Sequence, residues 1–248
     1  MSSNEFYETA RALENYLRFC KEIGIGELPA GLAAGGIEIA DTEKNGTALS
    51  HDRREPRGSS AVQTLSEIRE ELGDCTRCRL CETRKSIVFG EGNPKARLVF
   101  VGEGPGRDED IQGRPFVGRA GQLLTRIIRA MKLERKDVYI CNVVKCRPPG
   151  NRNPEPDEVA SCEPFLKKQI ESINPEVIVS LGSVATGLML KLKNFKMGQL
   201  RGTFHQYGNS KLMITYHPAA LLRNPSFKKP VWEDMKLVMR ELGIPVDG

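Results

Sequence analysis

The chain has 248 residues, of which 39% are hydrophobic and 28% are charged, enough to bury one large core or two small ones. It contains no apolar run of 18 residues and no N-terminal secretory pattern, so we expect a soluble, cytoplasmic protein without a membrane span or a membrane partner. The formal net charge is +5, and the odd number of seven cysteines argues against a disulfide framework and favours metal ligands or buried thiols.

The charge is distributed unevenly along the chain. Residues 1–60 contain 7 Lys/Arg and 10 Asp/Glu, whereas the remaining residues contain 30 and 22. A basic body behind a mildly acidic leader suits a nucleic-acid partner, although a solvated basic surface would give the same balance.

The N-terminal part differs in pattern from the rest. Apolar residues recur at a spacing of three to four over residues 5–23, which predicts an amphipathic helix. Frequent glycine and mixed charge over residues 24–60 predict a flexible linker. We therefore expect a helix plus linker over 1–60, with the helix docking on an unknown protein partner or on the body, and a folded domain over 61–248.

Apolar segments of strand length and helix length alternate after residue 60. Strands are predicted over residues 97–101, 138–144, 177–181 and 212–216, and helices over residues 64–72, 119–132, 157–173, 183–192 and 231–242. This alternation is typical of the α/β class, with a largely parallel sheet covered by helices on both faces.

A glycine-rich turn ends the first predicted strand. The turn, residues 102–106, has neither the spacing of a dinucleotide fingerprint nor the Gly-Lys-Ser/Thr of a phosphate-binding loop. Asn142 lies in the C-terminal half of the second strand, and His217 follows the fourth. Because ligands of open α/β sheets bind at the carboxyl ends of the strands, these groups predict a pocket at one edge of the sheet.

Four cysteines are candidate metal ligands. Two form a Cys-x2-Cys motif before the first strand, one lies in a basic loop after the second, and one lies on the following helix: Cys75, Cys78, Cys146 and Cys162. Four thiolates suit either tetrahedral zinc or an iron–sulfur cluster, and the spacing does not distinguish them. The other three cysteines are interpreted as small hydrophobic residues: Cys20, Cys81 and Cys141.

Four segments of the chain together resemble the type 4 (iron–sulfur) uracil-DNA glycosylases. They occur in the family's order, at residues 102–106, 113–124, 142–149 and 217–225. The resemblance spans roughly residues 65–242. It implies a three-layer α/β/α fold with a central four-stranded parallel sheet and a [4Fe–4S] cluster on the four candidate cysteines. It also implies a DNA-repair hydrolase that flips deoxyuridine out of single- or double-stranded DNA and cleaves its N-glycosidic bond, releasing uracil and leaving an abasic site.

The resemblance also assigns roles to residues of the predicted pocket. Phe116 would stack on the flipped base, and the amide of Asn142 would donate to uracil O4 and accept from N3–H. His217 would donate to O2, where charge develops as the base leaves. Backbone N–H groups of the turn would approach the ring, at Gly102, Glu103 and Gly104. The predicted catalytic residues are Glu103, Asn142 and His217.

Two further features follow from the resemblance. Glycines replace the Asp and Tyr that the type 1 enzymes carry in this turn, so the carboxylate that orients water is left open among Glu103, Glu109 and Asp110. The loop after His217 would supply the wedge that fills the gap of the flipped base, with Leu222 and Arg223 as the DNA-facing residues beside Leu221.

Two other classes of function remain open from the sequence. The first is a nucleic-acid-binding module that is stabilised by a bound metal and has no catalytic activity. The same cysteines and basic loops would support this function. The second is an electron-transfer protein, for which the sequence offers no redox partner site. Uracil-containing DNA is the expected partner of a monomeric enzyme, and cleavage of uracil-containing DNA by alkali after incubation would separate the enzyme from the binding module.

Overall fold

The computed structural model describes residues 62–246. The helix predicted over 5–23 and the linker that follows it to residue 60 lie outside the described residues. Within residues 62–246, no helix is both long enough and apolar enough to cross a membrane.

The described residues contain a single mixed sheet of six strands, in the order β1-β3-β2-β4-β6-β5. The strands are β1 (Glu91–Gly92), β2 (Leu98–Gly102), β3 (Tyr139–Asn142), β4 (Val177–Leu181), β5 (Phe204–Tyr207) and β6 (Ser210–Thr215). The four central strands pair in parallel, which confirms the predicted core, and β1 and β5 add one antiparallel strand at each edge. Neither edge strand was predicted, because β1 has only two residues and β5 is not apolar.

Eight α-helices connect the strands within the described residues. They are α1 (Leu65–Leu72), α2 (Arg107–Gln112), α3 (Arg119–Ala130), α4 (Pro156–Ile173), α5 (Ser183–Leu190), α6 (Met197–Leu200), α7 (Pro218–Arg223) and α8 (Lys228–Glu241). The five predicted helices correspond to α1, α3, α4, α5 and α8. Three short helices were missed, among them α2, which follows the glycine turn. Six residues are too few to show a helical repeat of apolar positions.

The helices cover both faces of the sheet. Leu98 and Phe100 of β2 point to one face and pack with Leu124 of α3. Val99, their neighbour in the strand, points to the other face and packs with Leu166 of α4, because successive side chains of a strand alternate between faces. The three-layer α/β/α architecture is therefore confirmed.

The parallel register brings the strand ends together. Gly102, the last residue of β2, pairs with Asn142, the last residue of β3. On the other side, Leu181 of β4 pairs with Thr215 of β6, so His217 follows the last strand by two residues. All four strands thus end at one edge of the sheet, where each sends its chain into a loop or a helix.

Candidate active site and cysteine centre

A cleft of about 640 Å³ lies at the carboxyl ends of the central strands. It is large enough for a nucleobase with its sugar, since ligand pockets measure roughly 300–1,000 Å³. Six of the residues predicted for the site line it: Glu103, Gly104, Phe116, Asn142, His217 and Arg223. The structure thus brings together, in one cavity, residues that are up to 120 positions apart in the sequence.

Asn142 presents an unpaired acceptor. Its side chain is 1% exposed, and its Oδ1 is the one buried side-chain nitrogen or oxygen atom of residues 62–246 that lacks a hydrogen-bond partner. The backbone is fixed, because the buried Lys145 donates from Nζ to the carbonyl oxygen of Asn142 at 2.7 Å. An unsatisfied buried acceptor costs about 1–3 kcal/mol, so the position favours a ligand that brings a donor.

Gly102 allows the two recognition side chains to meet. A Cβ atom on Gly102 would lie 2.5 Å from Oδ1 of Asn142 and 2.5 Å from Cζ of Phe116. No larger residue fits beneath these two groups unless they move. The glycine of the turn is therefore required by close packing of the site.

Phe116 is both a core residue and a wall of the cleft. Its side chain is 6% exposed and packs in the core, while its ring borders the cleft with its centroid 5.6 Å from that of His217. Its backbone has a φ of +52°, a left-handed conformation that is costly for a bulky residue. A Cβ on Gly121 would come within 1.9 Å of the carbonyl group of Phe116. Only glycine therefore fits at this position in the first turn of α3.

His217 is held in one tautomer by the helix that it begins. Its Nδ1 accepts a hydrogen bond from the backbone N–H of Ala219 at 3.1 Å, which leaves the proton on Nε2. Burial, together with the nearby Arg223 cation, lowers the pKa of His217 to about 4. At neutral pH the imidazole is therefore uncharged and can act as a hydrogen-bond donor through Nε2.

Two of the three candidate carboxylates are committed to the backbone. Oε1 of Glu109 accepts from both N–H groups of residues 117–118 at 2.9 Å, and Oδ1 of Asp110 accepts from those of residues 85–86 at 2.8 and 3.3 Å. Glu109 lines the cleft as well, with one carboxylate oxygen bound to the backbone. Glu103 also lines the cleft, and burial raises its pKa. Its carboxylate accepts no hydrogen bond from residues 62–246, which leaves Glu103 available to a ligand or to water.

The predicted wedge is a helix rather than a loop. Pro218 at the first helical position and the His217 cap start α7 directly after the strand. Leu221 is 2% exposed and packs in the core, so its prediction as part of the wedge is wrong. Leu222 is 38% exposed and Arg223 lines the cleft, so these two residues are placed at the surface and at the rim.

The loop after β3 adds polar groups to the cleft that were not predicted as site residues. They are Asn151, Arg152 and Asn153. Arg152 is fixed by two hydrogen bonds to the buried carboxylate of Glu158, at 2.8 and 2.6 Å. The position of this loop in the sequence could have predicted its place in the cleft, because it follows the carboxyl end of a central strand.

The four candidate cysteines line a second cavity, between the segment after α1 and helix α4. Positively charged or N–H groups face their sulfur atoms. Nη1 of Arg77 lies 3.2 Å from Sγ of Cys75, and Nη1 of Arg84 lies 3.6 Å from Sγ of Cys146. Such donors stabilise thiolates, so the surroundings fit a thiolate-bound metal centre.

The protonation of the four thiols depends on a bound metal. Burial raises the pKa of Cys78, Cys146 and Cys162, that of Cys146 to about 12, so without a metal these thiols would be protonated at neutral pH. Metal coordination removes the proton. Four thiols around a shared cavity fit either a zinc ion or an iron–sulfur cluster.

The fifth and sixth described cysteines are not part of this set. Cys141 is 1% exposed in the core on β3, which confirms its interpretation as a small hydrophobic residue, and Cys81 is half-buried outside the cavity lining. Cys20 lies outside the described residues.

Comparison with known proteins identifies the superfamily of the fold. The model of the Uracil DNA glycosylase superfamily matches residues 89–236, a range that holds all the cleft residues named above. This match defines the class of enzyme fold.

Curated relatives narrow the class to one type. The chain is 48% identical over 189 residues to the Type-4 uracil-DNA glycosylase of Saccharolobus solfataricus. The matched region covers 73% of this chain and 88% of the relative. It is 50% identical over 177 residues to the protein of the same name from Thermotoga maritima. This matched region covers 70% of this chain and 92% of the relative. The chain therefore belongs to the type-4 uracil-DNA glycosylase family, which confirms the resemblance.

Proposed function

We propose that the chain excises uracil from DNA by hydrolysing the N-glycosidic bond of a flipped deoxyuridine in the cleft. Uracil excision in DNA repair is the activity of its family. The observation that carries the assignment to this cleft is the unpaired Oδ1 of Asn142. Uracil offers the donor that this acceptor lacks, at N3–H.

Asn142 and Phe116 recognise the base. The Asn142 amide accepts from N3–H through Oδ1 and donates to O4 through Nδ2. Cytosine presents an acceptor at N3 and a donor at N4, so it would leave both groups of the amide unpaired. Phe116 stacks on the base, and the backbone of Gly102, Glu103 and Gly104 closes against its edge.

His217 stabilises the leaving group. Bond cleavage places negative charge on uracil O2, and Nε2–H of His217 donates to that oxygen. The positive charge of Arg223 on the cleft rim favours the same anion.

Glu103 is the carboxylate that we assign to the sugar side of the reaction. It would orient the attacking water and stabilise the positive charge that develops on the sugar. The assignment is supported by the backbone hydrogen bonds that occupy Glu109 and Asp110. Leu222 and Arg223 are the residues that we assign to the space left by the flipped nucleotide.

The activity is tested with synthetic DNA strands that contain one altered base. Incubation with the protein followed by alkali should cut the strand that contains uracil and leave the strands that contain cytosine or thymine intact. A uracil strand that is bound but never cut would favour the binding module without catalysis. A panel of other deaminated bases in the same assay defines the substrate range.

We also propose a [4Fe–4S] cluster on Cys75, Cys78, Cys146 and Cys162. The donor set, the shared cavity and the basic groups around it support this assignment. When bound, the cluster supplies a cross-link among distant segments and takes no part in the hydrolysis, since the cysteine cavity shares no lining residue with the cleft.

Loss of a cysteine ligand should remove colour and stability together. We expect Cys146→Ser to lose the broad absorption in the violet and about 2–5 kcal/mol of unfolding free energy, the size seen when a structural cross-link is lost. Cys81→Ser is the matched control, because Cys81 lies outside the cavity lining, and it should keep both properties. Absorption, iron analysis and denaturant unfolding measure the result. Stoichiometric zinc in a colourless wild-type protein would contradict the cluster.

Residues 1–60 should be dispensable for catalysis. The family model begins at residue 89, and every residue named for the cleft lies beyond it. We expect a variant that starts at Ala61 to keep the single-turnover rate of uracil release within about twofold of the full chain. A truncated protein that folds but releases no uracil would show that the N-terminal part contributes to the site.

We propose that the enzyme acts as a monomer in the cytoplasm. The location is supported by the odd number of seven cysteines, which argues against a disulfide framework. Light scattering with and without DNA tests the oligomeric state, and comparing the full chain with the truncated variant tests whether the N-terminal part binds another protein.

A further inference from the structure

We propose that Arg135 is a positioning residue for uracil recognition, which acts through the backbone of Phe116 without touching the base. The inference rests on the stacking role of Phe116 proposed above. Arg135 lies in the turn between α3 and β3 and is not among the residues that line the cleft. Its influence must therefore pass through the groups that it binds.

The guanidinium of Arg135 holds two successive carbonyl groups of the stacking loop, residues 113–118, which carries Phe116. Nη1 donates to the carbonyl oxygen of Phe116 at 3.0 Å, and Nη2 donates to that of Pro115 at 2.8 Å. Nη1 also lies 3.3 Å from Oγ1 of Thr125 on α3. A planar fork can meet two neighbouring carbonyls at once, which a lysine ammonium cannot do with the same geometry.

Glu91 fixes the guanidinium from the other side. Its Oε1 accepts from Nη2 and Nε of Arg135 at 3.1 and 3.3 Å, and its Oε2 accepts from Nε of Arg114 at 2.6 Å. Burial acts to raise the pKa of Glu91, but the hydrogen bonds from the two guanidiniums lower it overall. The carboxylate is therefore ionised at neutral pH and ties the edge strand β1 to both ends of the segment 114–116.

Phe116 needs this support because its backbone is strained. At a φ of +52°, an aromatic residue would relax to negative φ if its neighbours allowed it. Arg135 binds the carbonyl groups of Pro115 and Phe116. Glu109 binds the N–H groups of the two residues that follow, 117–118. Held on both sides, the ring stays above Gly102 and beside Oδ1 of Asn142 before any base arrives.

This arrangement separates base recognition from DNA binding. Releasing the Phe116 backbone should weaken binding of the uracil ring, whereas the contacts that a DNA strand makes through its phosphates should persist. A general loss of folding would instead weaken both. The two kinds of binding can be measured separately, with free uracil as an inhibitor and with DNA that contains an abasic site.

The test is a double-mutant cycle in the full chain with Arg135→Met, Phe116→Ala and the combination. We expect Arg135→Met to raise the inhibition constant of free uracil about tenfold, the scale of one strained backbone conformation, and to leave the dissociation constant of abasic DNA within about twofold. In the Phe116→Ala background, Arg135→Met should cause no further rise. Arg135→Lys keeps the charge but not the planar fork. Its inhibition constant for free uracil should lie between those of the wild type and Arg135→Met.

Arg97→Met is the matched control. It removes a guanidinium from a more exposed carboxylate pair, with Glu176 at 2.8 Å, at the opposite end of β2, and should leave uracil inhibition unchanged. Equal effects of Arg135→Met with and without the Phe116 ring, or a parallel loss of abasic-DNA binding, would overturn the proposal. If Phe116→Ala alone leaves uracil inhibition unchanged, the stacking role itself fails, whereas an effect of Phe116→Ala without one of Arg135→Met removes only the present inference.

Discussion

His217→Ala should lower the single-turnover rate of uracil release by roughly 10²–10³, the loss expected when one donor to a developing oxyanion is removed. Binding of abasic DNA should change little, because the hydrogen bond of Nε2 strengthens only as the bond breaks. The measurement is quenched-flow cleavage of a uracil-containing strand at saturating enzyme.

His205→Ala provides the matched control for this change. His205 is also partly buried, but its Nε2 is engaged with the carbonyl oxygen of Leu200 at 2.8 Å, and it lies outside the cleft. Its replacement should leave the cleavage rate near that of the wild type. A His217→Ala enzyme that cleaves as fast as the wild type, with its cysteine centre intact, would refute the role of His217.

The pH dependence follows from the same group. Because burial and Arg223 lower the pKa of His217 to about 4, the neutral donor persists from alkaline pH down to about pH 5. Protonation of Nδ1 below that range breaks the hydrogen bond from Ala219 and disturbs the start of α7. An inflection of the wild-type rate near pH 6.5 that disappears in His217→Ala would contradict the assignment of a lowered pKa.

Asn142→Asp should reduce uracil cleavage by roughly 10² or more and lower the ratio of uracil to cytosine cleavage. A carboxylate cannot donate to O4, and its charge repels that oxygen in a buried site, where a lost partner is most costly. Single-turnover rates on matched uracil and cytosine strands give the ratio directly.

Asn93→Asp makes the same chemical change away from the cleft. Oδ1 of Asn93 accepts from the backbone N–H of Lys95 at 2.9 Å, a role that a carboxylate can keep. We expect its uracil rate to match the wild type. If Asn142→Asp retained the full preference for uracil, the base would have to be read by other groups.

The elements that rest on local pattern were predictable from the sequence. Each central strand is a short apolar run, and four such runs alternating with helices fix a parallel order, which in turn places Gly102 beside Asn142. The roles of the cleft residues came from the resemblance to a family, because spacing alone did not distinguish a pocket from ordinary turns.

The elements that were missed depend on contacts between distant segments. Glu91 and Arg135 lie in different elements and leave no local pattern, although together they hold the stacking loop. Likewise, the backbone hydrogen bonds of Glu109 and Asp110 are formed only in the folded chain, so the sequence left the choice of carboxylate open. The wedge was mispredicted at Leu221 because the helix that buries it has only six residues.

The order of the strands has a consequence for synthesis of the chain. β2 is the first of the four central strands to leave the ribosome, yet it lies between β3 and β4 in the finished sheet. Until residues 177–181 have emerged, one edge of this fully apolar strand has no partner within its own sheet. Exposed apolar edges are templates for pairing with other chains. Nascent chains that stall before β4 thus expose an unpaired edge of an apolar strand, which makes them prone to aggregation.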